Sequence, residues 1–455
     1  MGRTLARRHR ESTRQTLREP VARRSGDRSF VIALITLELL VFLLHLNTLR
    51  RPHVEGDEIV FTFIAEKLRG DLADYSPRGE LDGPSARRFI HEVWEPQTNR
   101  QFADSPHPSL LESAPDETGR RTRAFDAALY DLPIFTHPPL FAYALTLSRA
   151  LAGRTGGLLL PVLCHLATIA MVALLGRRLA NESVGILAAA LLAIDSVSWV
   201  VAERVWIDGM MQMMVTASVV AAFWSVRLGG TWRFAVAGGV LGLTGLTKLP
   251  AGLILPGVLT IAMLQPTRPA PRQLLAYFLP AAMLVGSWLV LTRLVLGRFF
   301  PVGWPTAWMI QHSSWMKHIV ERSPLVYVFG LLFVSPVLGY AALALRRIRD
   351  SRWLFVPVVW AGAFWAGLMV LGMSGMGFQL RHLSSAIPAV CLMAAVGIQS
   401  MRWPWWVLAA ALGMFTLMTG LHTALEPGMV DSFPEPMWRY VSELTGWDLL
   451  KSGIW

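Results

Sequence analysis

Residues 184–203 read VGILAAALLAIDSVSWVVAE, and residues 208–227 read DGMMQMMVTASVVAAFWSVR, so two long apolar runs follow one another closely. Each run has about the 20 residues that an α-helix needs to cross the ~30 Å hydrocarbon core of a membrane. Similar runs recur along the chain, which is 53% hydrophobic and only 16% charged. A soluble protein needs more charge on its surface. The sequence therefore predicts an all-α, polytopic integral membrane protein.

The apolar runs also set the number of predicted membrane crossings, which is about eleven. The predicted spans are residues 30–49, 157–176, 184–203, 208–227, 233–247, 250–265, 273–296, 325–346, 353–373, 383–400 and 403–421. Residues 233–265 contain two short spans, and the turn Thr247-Lys248-Leu249-Pro250 separates them.

Arginines in the short loops set the predicted orientation. They occur at Arg177/Arg178, Arg227/Arg233, Arg268/Arg272, Arg346/Arg347/Arg349/Arg352 and Arg402. Basic loops face the cytoplasm in membrane proteins, and all of these loops can do so together when the N-terminus is cytoplasmic. The net charge of +11 is therefore a set of topology signals, and it does not indicate a nucleic-acid partner.

This orientation divides the chain into three parts. They are a basic cytoplasmic tail (1–29), a transmembrane domain (30–421) and a short extracytoplasmic C-terminal tail (422–455). Within the domain, residues 50–156 form a large first extracytoplasmic loop, and its insert at 71–131 carries no motif that we can place. Long loops in tightly connected chains are usually functional or disordered. The predicted location is the cell (inner or plasma) membrane.

Three segments are predicted to lie on the outer membrane surface. Residues 57–69 read DEIVFTFIAEKLR, with apolar residues at helical spacing beside a charged face. Residues 138–152 are apolar but too short to span the membrane. Counting them as a span would move every later arginine-containing loop to the opposite side of the membrane. Residues 302–323 carry tryptophans and histidines that are typical of an interfacial belt.

Polar residues at the starts of these segments are candidates for chemistry. Asp57 and Glu58 open the first surface helix, where a carboxylate can take a proton from a hydroxyl. Helix capping is the competing interpretation, because Asp at a helix start accepts backbone N–H bonds. His137 precedes Pro138 and Pro139 at the second surface helix. It is either a ligand for phosphate or hydroxyl or an ordinary interface histidine.

Three further candidates lie at the predicted outer ends of spans. Asp208 is functional or paired, because ionisable groups at membrane depth are costly. Lys248 lies between two short apolar helices, where it either contacts a phosphate or reaches to the interface. Arg381 lies on the outer side against the positive-inside rule. It either binds phosphate with two parallel hydrogen bonds or pairs with a carboxylate of an outer loop.

Taken in order, these segments resemble the membrane-embedded GT-C glycosyltransferases, in particular the family of protein O-mannosyltransferases and the bacterial aminoarabinose lipid A transferase. The matching segments are Asp57-Glu58, His137-Pro138-Pro139-Leu140, Asp208, Leu246-Thr247-Lys248-Leu249-Pro250 and Arg381-His382. Each segment alone is weakly specific, whereas the ordered set is more so. The chain departs from the family at His382, where we expect an aromatic residue, and at His137, where lysine is common.

The resemblance implies a GT-C fold and the transfer of a sugar from a polyprenyl-phosphate-linked donor to an extracytoplasmic acceptor, with inversion. In that family Asp57 would be the general base, Glu58 would orient the site, and Asp208 would shape it or hold a divalent metal. The implied ligands of the donor phosphate are His137, Lys248, Arg381 and His382. The acceptor could be a lipid, a glycan or a protein. The process could therefore be lipid A modification or protein glycosylation in the cell envelope.

Other functions remain as alternatives. A multi-pass transporter or a lipid flippase would explain the apolar runs without any transferase activity. A lipid-phosphate phosphatase or ligase is a third class, separable by whether sugar is transferred. Transporters usually show internal repeats and broken helices at the midplane of the membrane. The sequence shows no repeat, and its polar candidates gather on one predicted face, which favours an enzyme embedded among membrane lipids.

Overall fold

A computed structural model describes residues 24–50, 57–72, 137–266, 268–296, 299, 327, 330–348, 351–373 and 379–425. Every regular element within these ranges is helical, which confirms the predicted all-α class. The remaining candidate segment of the outer surface, 302–323, lies outside the described residues, as do the tails 1–23 and 426–455.

Most α-helices follow the predicted runs with small shifts at their ends, whereas the described part of the predicted span 325–346 consists of short α- and 3-10 helices. They are α1 (Arg24–His45), α2 (Asp57–Gly70), α3 (Leu140–Leu179), α4 (Glu182–Ile194), α5 (Ser196–Glu203), α6 (Ile207–Leu228), α7 (Thr231–Gly245), α8 (Leu255–Met263), α9 (Pro271–Leu296), α10 (Leu331–Val334), α11 (Ala341–Ala344), α12 (Phe355–Leu371), α13 (Ile387–Gln399) and α14 (Trp403–Leu425). Short 3-10 helices cover Leu46–Arg50, Leu249–Ile254, Pro336–Tyr340, Leu345–Arg347, Arg352–Leu354 and Leu380–Ala386.

Several of these helices are long and apolar enough to cross a membrane. Among the described residues there are 6, or 7 when the bent pair α4–α5 is counted as one span. They are Arg28–Leu49, Leu140–Leu179, Ile207–Leu228, Pro271–Leu294, Arg352–Leu371 and Leu380–Gln399. Leu249–Met263 and Pro404–Gly420 are apolar but shorter. The count of about eleven spans stays a prediction.

Helix α3 contains both a predicted surface helix and the span that follows it. Its geometry breaks at Ala152 and at Gly153, where φ is 56°. A positive φ of this kind is favourable for glycine and costly for other residues, so Gly153 suits the break. The break falls at the predicted end of the segment 138–152, and the part of α3 before it packs against α2. Its location on the outer membrane surface stays a prediction.

The predicted span 184–203 differs from expectation, because two helices replace one straight helix. Helices α4 and α5 are bent by 60° at Asp195. The Asp195 carboxylate accepts a 2.7 Å hydrogen bond from the backbone N–H of Ser198, which caps α5. It accepts another, also 2.7 Å, from the hydroxyl of Ser335. An N-cap aspartate starts a new helix, and the apolar pattern alone did not reveal this break.

The helices differ in how far other helices surround them. The Leu380–Gln399 window is 89% buried inside the protein, whereas the windows in Arg28–Leu49 and Pro271–Leu294 are only 17% buried. The outer faces of α1 and α9 are therefore available to lipid, and α13 lies at the centre.

Helices α7 and α9 approach each other closely at a glycine: a Cβ atom at Gly238 of α7 would collide with the carbonyl oxygen of Tyr277 of α9.

Candidate active site

Two of the predicted site residues form a buried ion pair. Asp208 lies in the first turn of α6, and Lys248 lies in the turn that follows α7. The Lys248 Nζ atom is 2.8 Å from Asp208 Oδ1, and the two side chains are only 10% and 4% exposed. The sequence identified both residues as candidates but did not predict that they pair.

The same turn also meets the start of α3. The backbone N–H of Leu140 donates a 3.0 Å hydrogen bond to the carbonyl oxygen of Leu246. This bond joins the His137-Pro138-Pro139-Leu140 segment to the Leu246-Thr247-Lys248-Leu249-Pro250 segment, which are two of the motifs on which the resemblance rests. The fold therefore brings these motifs together.

Arg381 and His382 approach the ion pair from a third direction, at the start of the segment that leads into α13. Both residues lie near enough to the Asp208 carboxylate to interact with it electrostatically. The Arg381 guanidinium lies 4.3 Å from the ring centroid of Trp206, and its Nε donates a 2.6 Å hydrogen bond to Gln379. Lys248 contacts this carboxylate, and Arg381 and His382 lie near it. Because basic side chains outnumber the carboxylate, this region favours an additional anion.

His382 has a second contact. Its Nδ1 atom lies 3.4 Å from the hydroxyl of Tyr327, and its backbone N–H donates a 3.0 Å hydrogen bond to the carbonyl oxygen of Gln379. The family resemblance led us to expect an aromatic residue such as tyrosine at position 382, and here the hydroxyl of Tyr327 lies beside the histidine instead.

Glu58 connects α2 to the segment before α6. Its carboxylate is fully buried. Oε1 accepts a 2.7 Å hydrogen bond from the backbone N–H of Val205, and Oε2 lies 3.3 Å from the guanidinium of Arg204. The segment held in this way continues directly to Trp206 and Asp208, so Glu58 fixes the position from which both side chains reach the site.

Trp206 is the residue that the sequence interpretation failed to single out. It lies between two guanidinium groups, with Arg381 at 4.3 Å and Arg204 at 5.9 Å from its ring centroid. Its Nε1 atom is buried and has no hydrogen-bond partner among the described residues. A buried N–H group normally has a partner, so this indole is available to donate to a bound molecule. Its place between Arg204 and Asp208 was the only signal for it in the sequence.

Two predicted residues are not shown to join the ion pair. His137 is partly buried beside α2, with its ring centroid 5.8 Å from that of Phe61. Asp57 begins α2, one residue before Glu58, but its side chain lies outside the described residues. The assignment of Asp57 as general base therefore stays a prediction, as does the role of His137 in phosphate binding.

A divalent metal was a further expectation for the site. In the part of the chain that the structure describes, no group of three or more His, Cys, Asp or Glu side chains could hold a metal ion. The Asp208 carboxylate already has Lys248 as its partner. The described residues therefore show no metal site beside Asp208, and the side chain of Asp57 lies outside them.

Comparisons with known proteins agree with the motifs. Residues 136–296 match the family model of dolichyl-phosphate-mannose-protein mannosyltransferase. The match includes His137, Asp208 and Lys248, whereas Glu58 and Arg381 lie outside it. No curated protein matches the chain in sequence.

Solved structures share the fold. ArnT from Cupriavidus metallidurans, bound to undecaprenyl phosphate, has a TM-score of 0.58 at 15% identity, over 90% of this chain and 68% of that one. The archaeal oligosaccharyltransferase AglB from Archaeoglobus fulgidus, in complex with an inhibitory peptide and a dolichol-phosphate, has a TM-score of 0.50 at 12% identity, over 95% of this chain and 60% of that one. Both are GT-C glycosyltransferases. The resemblance to this class is therefore confirmed, and at these identities the structural likeness is one of fold.

Proposed function

We propose that the chain is a glycosyltransferase that moves a sugar from a polyprenyl-phosphate-linked donor to an extracytoplasmic lipid, glycan or protein acceptor. One observation carries the proposal: Lys248 pairs with the buried Asp208, and Arg381, which packs on Trp206, lies near the same carboxylate together with His382. Such a group of cations suits an anion that is itself partly buried, as the phosphate of a lipid carrier is. ArnT with undecaprenyl phosphate and AglB with a dolichol-phosphate are consistent with a donor of this chemistry.

The chemistry that we propose is a single displacement at the anomeric carbon. The acceptor oxygen forms a bond to that carbon while the bond from the carbon to the phosphate oxygen breaks, so the configuration inverts. Asp57 takes the proton of the acceptor hydroxyl as general base. The bonding electrons leave with the polyprenyl phosphate, which gains negative charge.

Lys248 and Arg381 stabilise that leaving group. Preorganised cations in a site from which water is excluded lower the energy of a transition state in which negative charge develops. Asp208 holds the Lys248 ammonium in place at 2.8 Å until the donor phosphate offers it a second negative partner. Glu58 acts through the backbone at Val205 and is a positioning residue in this proposal. His137 and His382 complete the proposed phosphate ligands.

The proposed orientation places this site on the extracytoplasmic face of the cell membrane. The N-terminus is cytoplasmic and about eleven helices cross the bilayer, as the distribution of basic loops indicates. Lys248, Asp208 and Arg381 then all lie on the outer side. A polyprenyl-linked sugar would reach this site laterally from the lipid.

A lipid flippase is a second candidate, because a specific feature supports it. Helices α4 and α5 form a broken pair at Asp195, and a serine at another helix break, Ser335, donates a hydrogen bond to that aspartate. Broken helices with polar contacts are typical of transporters. The transferase is favoured by the match of residues 136–296 to a mannosyltransferase family model and by the fold shared with ArnT.

The test is reconstitution of the purified chain in vesicles with synthetic polyprenyl-phosphate sugars and envelope extract as the source of acceptor. We expect sugar to appear in one acceptor fraction with release of polyprenyl phosphate, both measured by mass spectrometry. The double variant Asp208→Asn, Lys248→Met should lose both products, and Arg402→Gln should keep them. Movement of the intact donor between leaflets without release of polyprenyl phosphate would assign the flippase function instead.

A further inference from the structure

A cavity far from the candidate active site is lined by both basic and aliphatic side chains. Its volume is about 730 Å³, and it lies between the Pro336–Arg347 region and the beginning of α14. Arg346, Arg347 and Ser400 line its polar end. Leu343, Leu408 and Leu412 form an apolar wall. The cavity is therefore amphipathic, with guanidinium groups at one end and aliphatic side chains along the rest.

The two sites are at opposite ends of the same central segment. Arg381 and His382 lie at the beginning of the stretch from Leu380 to Gln399, whereas Ser400, directly after its end, lines the cavity. This stretch consists of a 3-10 helix followed by α13, which together extend on the order of 30 Å. That length matches the hydrocarbon thickness of a membrane. An extracytoplasmic active site thus places the cavity at the cytoplasmic face.

The residues at the mouth of the cavity suit the depth of lipid headgroups. Arg346 and Arg347 are exposed, and Trp405 and Leu408 are 58% and 44% exposed on the outer face of α14. Tryptophan and arginine are common at the cytoplasmic interface. The hydroxyl of Tyr340, which also lines the cavity, is buried without a hydrogen-bond partner among the described residues. A hydroxyl in that state is expected to bond to a ligand.

We propose that this cavity binds an acidic phospholipid of the cytoplasmic leaflet. Arginine guanidinium groups bind phosphate through pairs of parallel hydrogen bonds, and basic pockets between membrane helices on the cytoplasmic side bind acidic headgroups. Arg346 and Arg347 hold the headgroup phosphate, and Tyr340 donates to a phosphate or ester oxygen. The acyl chains lie along Leu343, Leu408 and Leu412, so the lipid joins the two walls of the cavity.

The occupant is an intact lipid rather than a soluble anion, because the aliphatic wall needs acyl chains to cover it. The bound lipid also lies next to a contact between two helix breaks. Pro336 lines the cavity, and its neighbour Ser335 donates the hydrogen bond to Asp195 at the bend between α4 and α5. Binding of the lipid is thus expected to stabilise the folded protein through both walls.

The test uses the purified full-length chain in detergent, with phosphatidylglycerol as the probe and phosphatidylcholine as the zwitterionic comparison. We expect phosphatidylglycerol to remain bound in native mass spectra and to raise the melting temperature, and phosphatidylcholine to do neither. The double variant Arg346→Gln, Arg347→Gln should bind phosphatidylglycerol at least tenfold more weakly. The matched double variant Arg268→Gln, Arg272→Gln removes two arginines from another predicted cytoplasmic loop and should bind normally.

Two further measurements keep the proposal open to refutation if the arginine variant is unstable. Tyr340→Phe retains the ring and removes the hydroxyl, so we expect folding to persist with severalfold weaker binding of phosphatidylglycerol. Glycerol 1-phosphate carries the headgroup phosphate without acyl chains, and we expect it to have no effect. Equal binding by both double variants, equal stabilisation by phosphatidylcholine, or full stabilisation by glycerol 1-phosphate would each overturn the proposal.

Discussion

The ammonium group of Lys248 lies 2.8 Å from a carboxylate oxygen of Asp208, and both side chains are almost completely buried. Buried ion pairs contribute little net stability, because the loss of hydration of both charges offsets their attraction. Ionisable residues at membrane depth are nevertheless costly to place there, and they mark functional sites. The pair is thus better explained by binding than by stability: Asp208 orients a cation that a phosphate can share.

Removal of one partner should therefore harm the protein more than removal of both. Lys248→Met leaves the Asp208 carboxylate buried without its hydrogen-bond donor, and we expect it to lower the free energy of unfolding by about 3–5 kcal/mol. The double variant Asp208→Asn, Lys248→Met should regain most of that stability but should not regain sugar transfer. Denaturation in detergent and release of polyprenyl phosphate measure the two effects.

Arg402→Met is the control for this experiment, since Arg402 is an exposed cation outside the site. It should change neither stability nor transfer. If the single variant Lys248→Met and the double variant were equally stable, the buried charge of Asp208 would not be the source of the loss. Wild-type transfer by the double variant would remove the pair from the active site.

The sequence could identify these two residues but could not pair them. A charged residue at the end of an apolar run is noticeable because it is costly there. However, Asp208 and Lys248 are separated by 40 positions, one on α6 and the other in the turn after α7. Asp195 shows the opposite case. It lies within a predicted span, and the apolar residues around it hid the helix break that its capping bond produces. The break at Gly153 was predictable. The segment 138–152 is too short to span a membrane, and the orientation of the later basic loops required that it be separate from the span 157–176.

Arg381 and Trp206 provide a second prediction. Arg381→Lys keeps the positive charge but loses the planar group that lies 4.3 Å from the indole ring and the Nε donor to Gln379. Because lysine does not reproduce that planar geometry, we expect the KM for the lipid donor to rise about tenfold, which is about 1.4 kcal/mol, with a smaller change in kcat. Steady-state kinetics over a range of donor concentrations measure both.

Variants of Trp206 separate the contribution of its aromatic surface, which contacts Arg381, from that of its buried N–H group. Trp206→Phe retains an aromatic surface for Arg381 and removes the unpartnered N–H, whereas Trp206→Leu removes both. We expect Trp206→Leu to raise the donor KM at least as much as Arg381→Lys does. A KM of the wild-type value in Arg381→Lys would show that only the charge of Arg381 matters and that the contact with Trp206 does not.

Asp57 and Glu58 are adjacent in sequence but should behave differently. Asp57→Asn removes the proposed general base, so we expect transfer to fall by about 10²–10⁴-fold with an unchanged melting temperature. Glu58→Gln weakens the bonds to Arg204 and Val205, and we expect it to lower stability by about 1–3 kcal/mol while the folded fraction retains activity. Loss of turnover in Glu58→Gln without loss of stability would instead assign the proton transfer to Glu58.

The proposed orientation of the membrane domain predicts which loops an impermeant reagent can reach. The native cysteines, Cys164 and Cys391, are both buried, so single added cysteines can be labelled selectively. Thr155, at the break in α3, and Ser183, at the start of α4, are both exposed and lie at opposite ends of the predicted span 157–176. We expect an impermeant maleimide to label Thr155→Cys in intact cells and Ser183→Cys only after permeabilisation. Because the positive-inside rule is the basis of this orientation, the reverse pattern would place the Asp208–Lys248 site on the cytoplasmic face and exclude an extracytoplasmic acceptor.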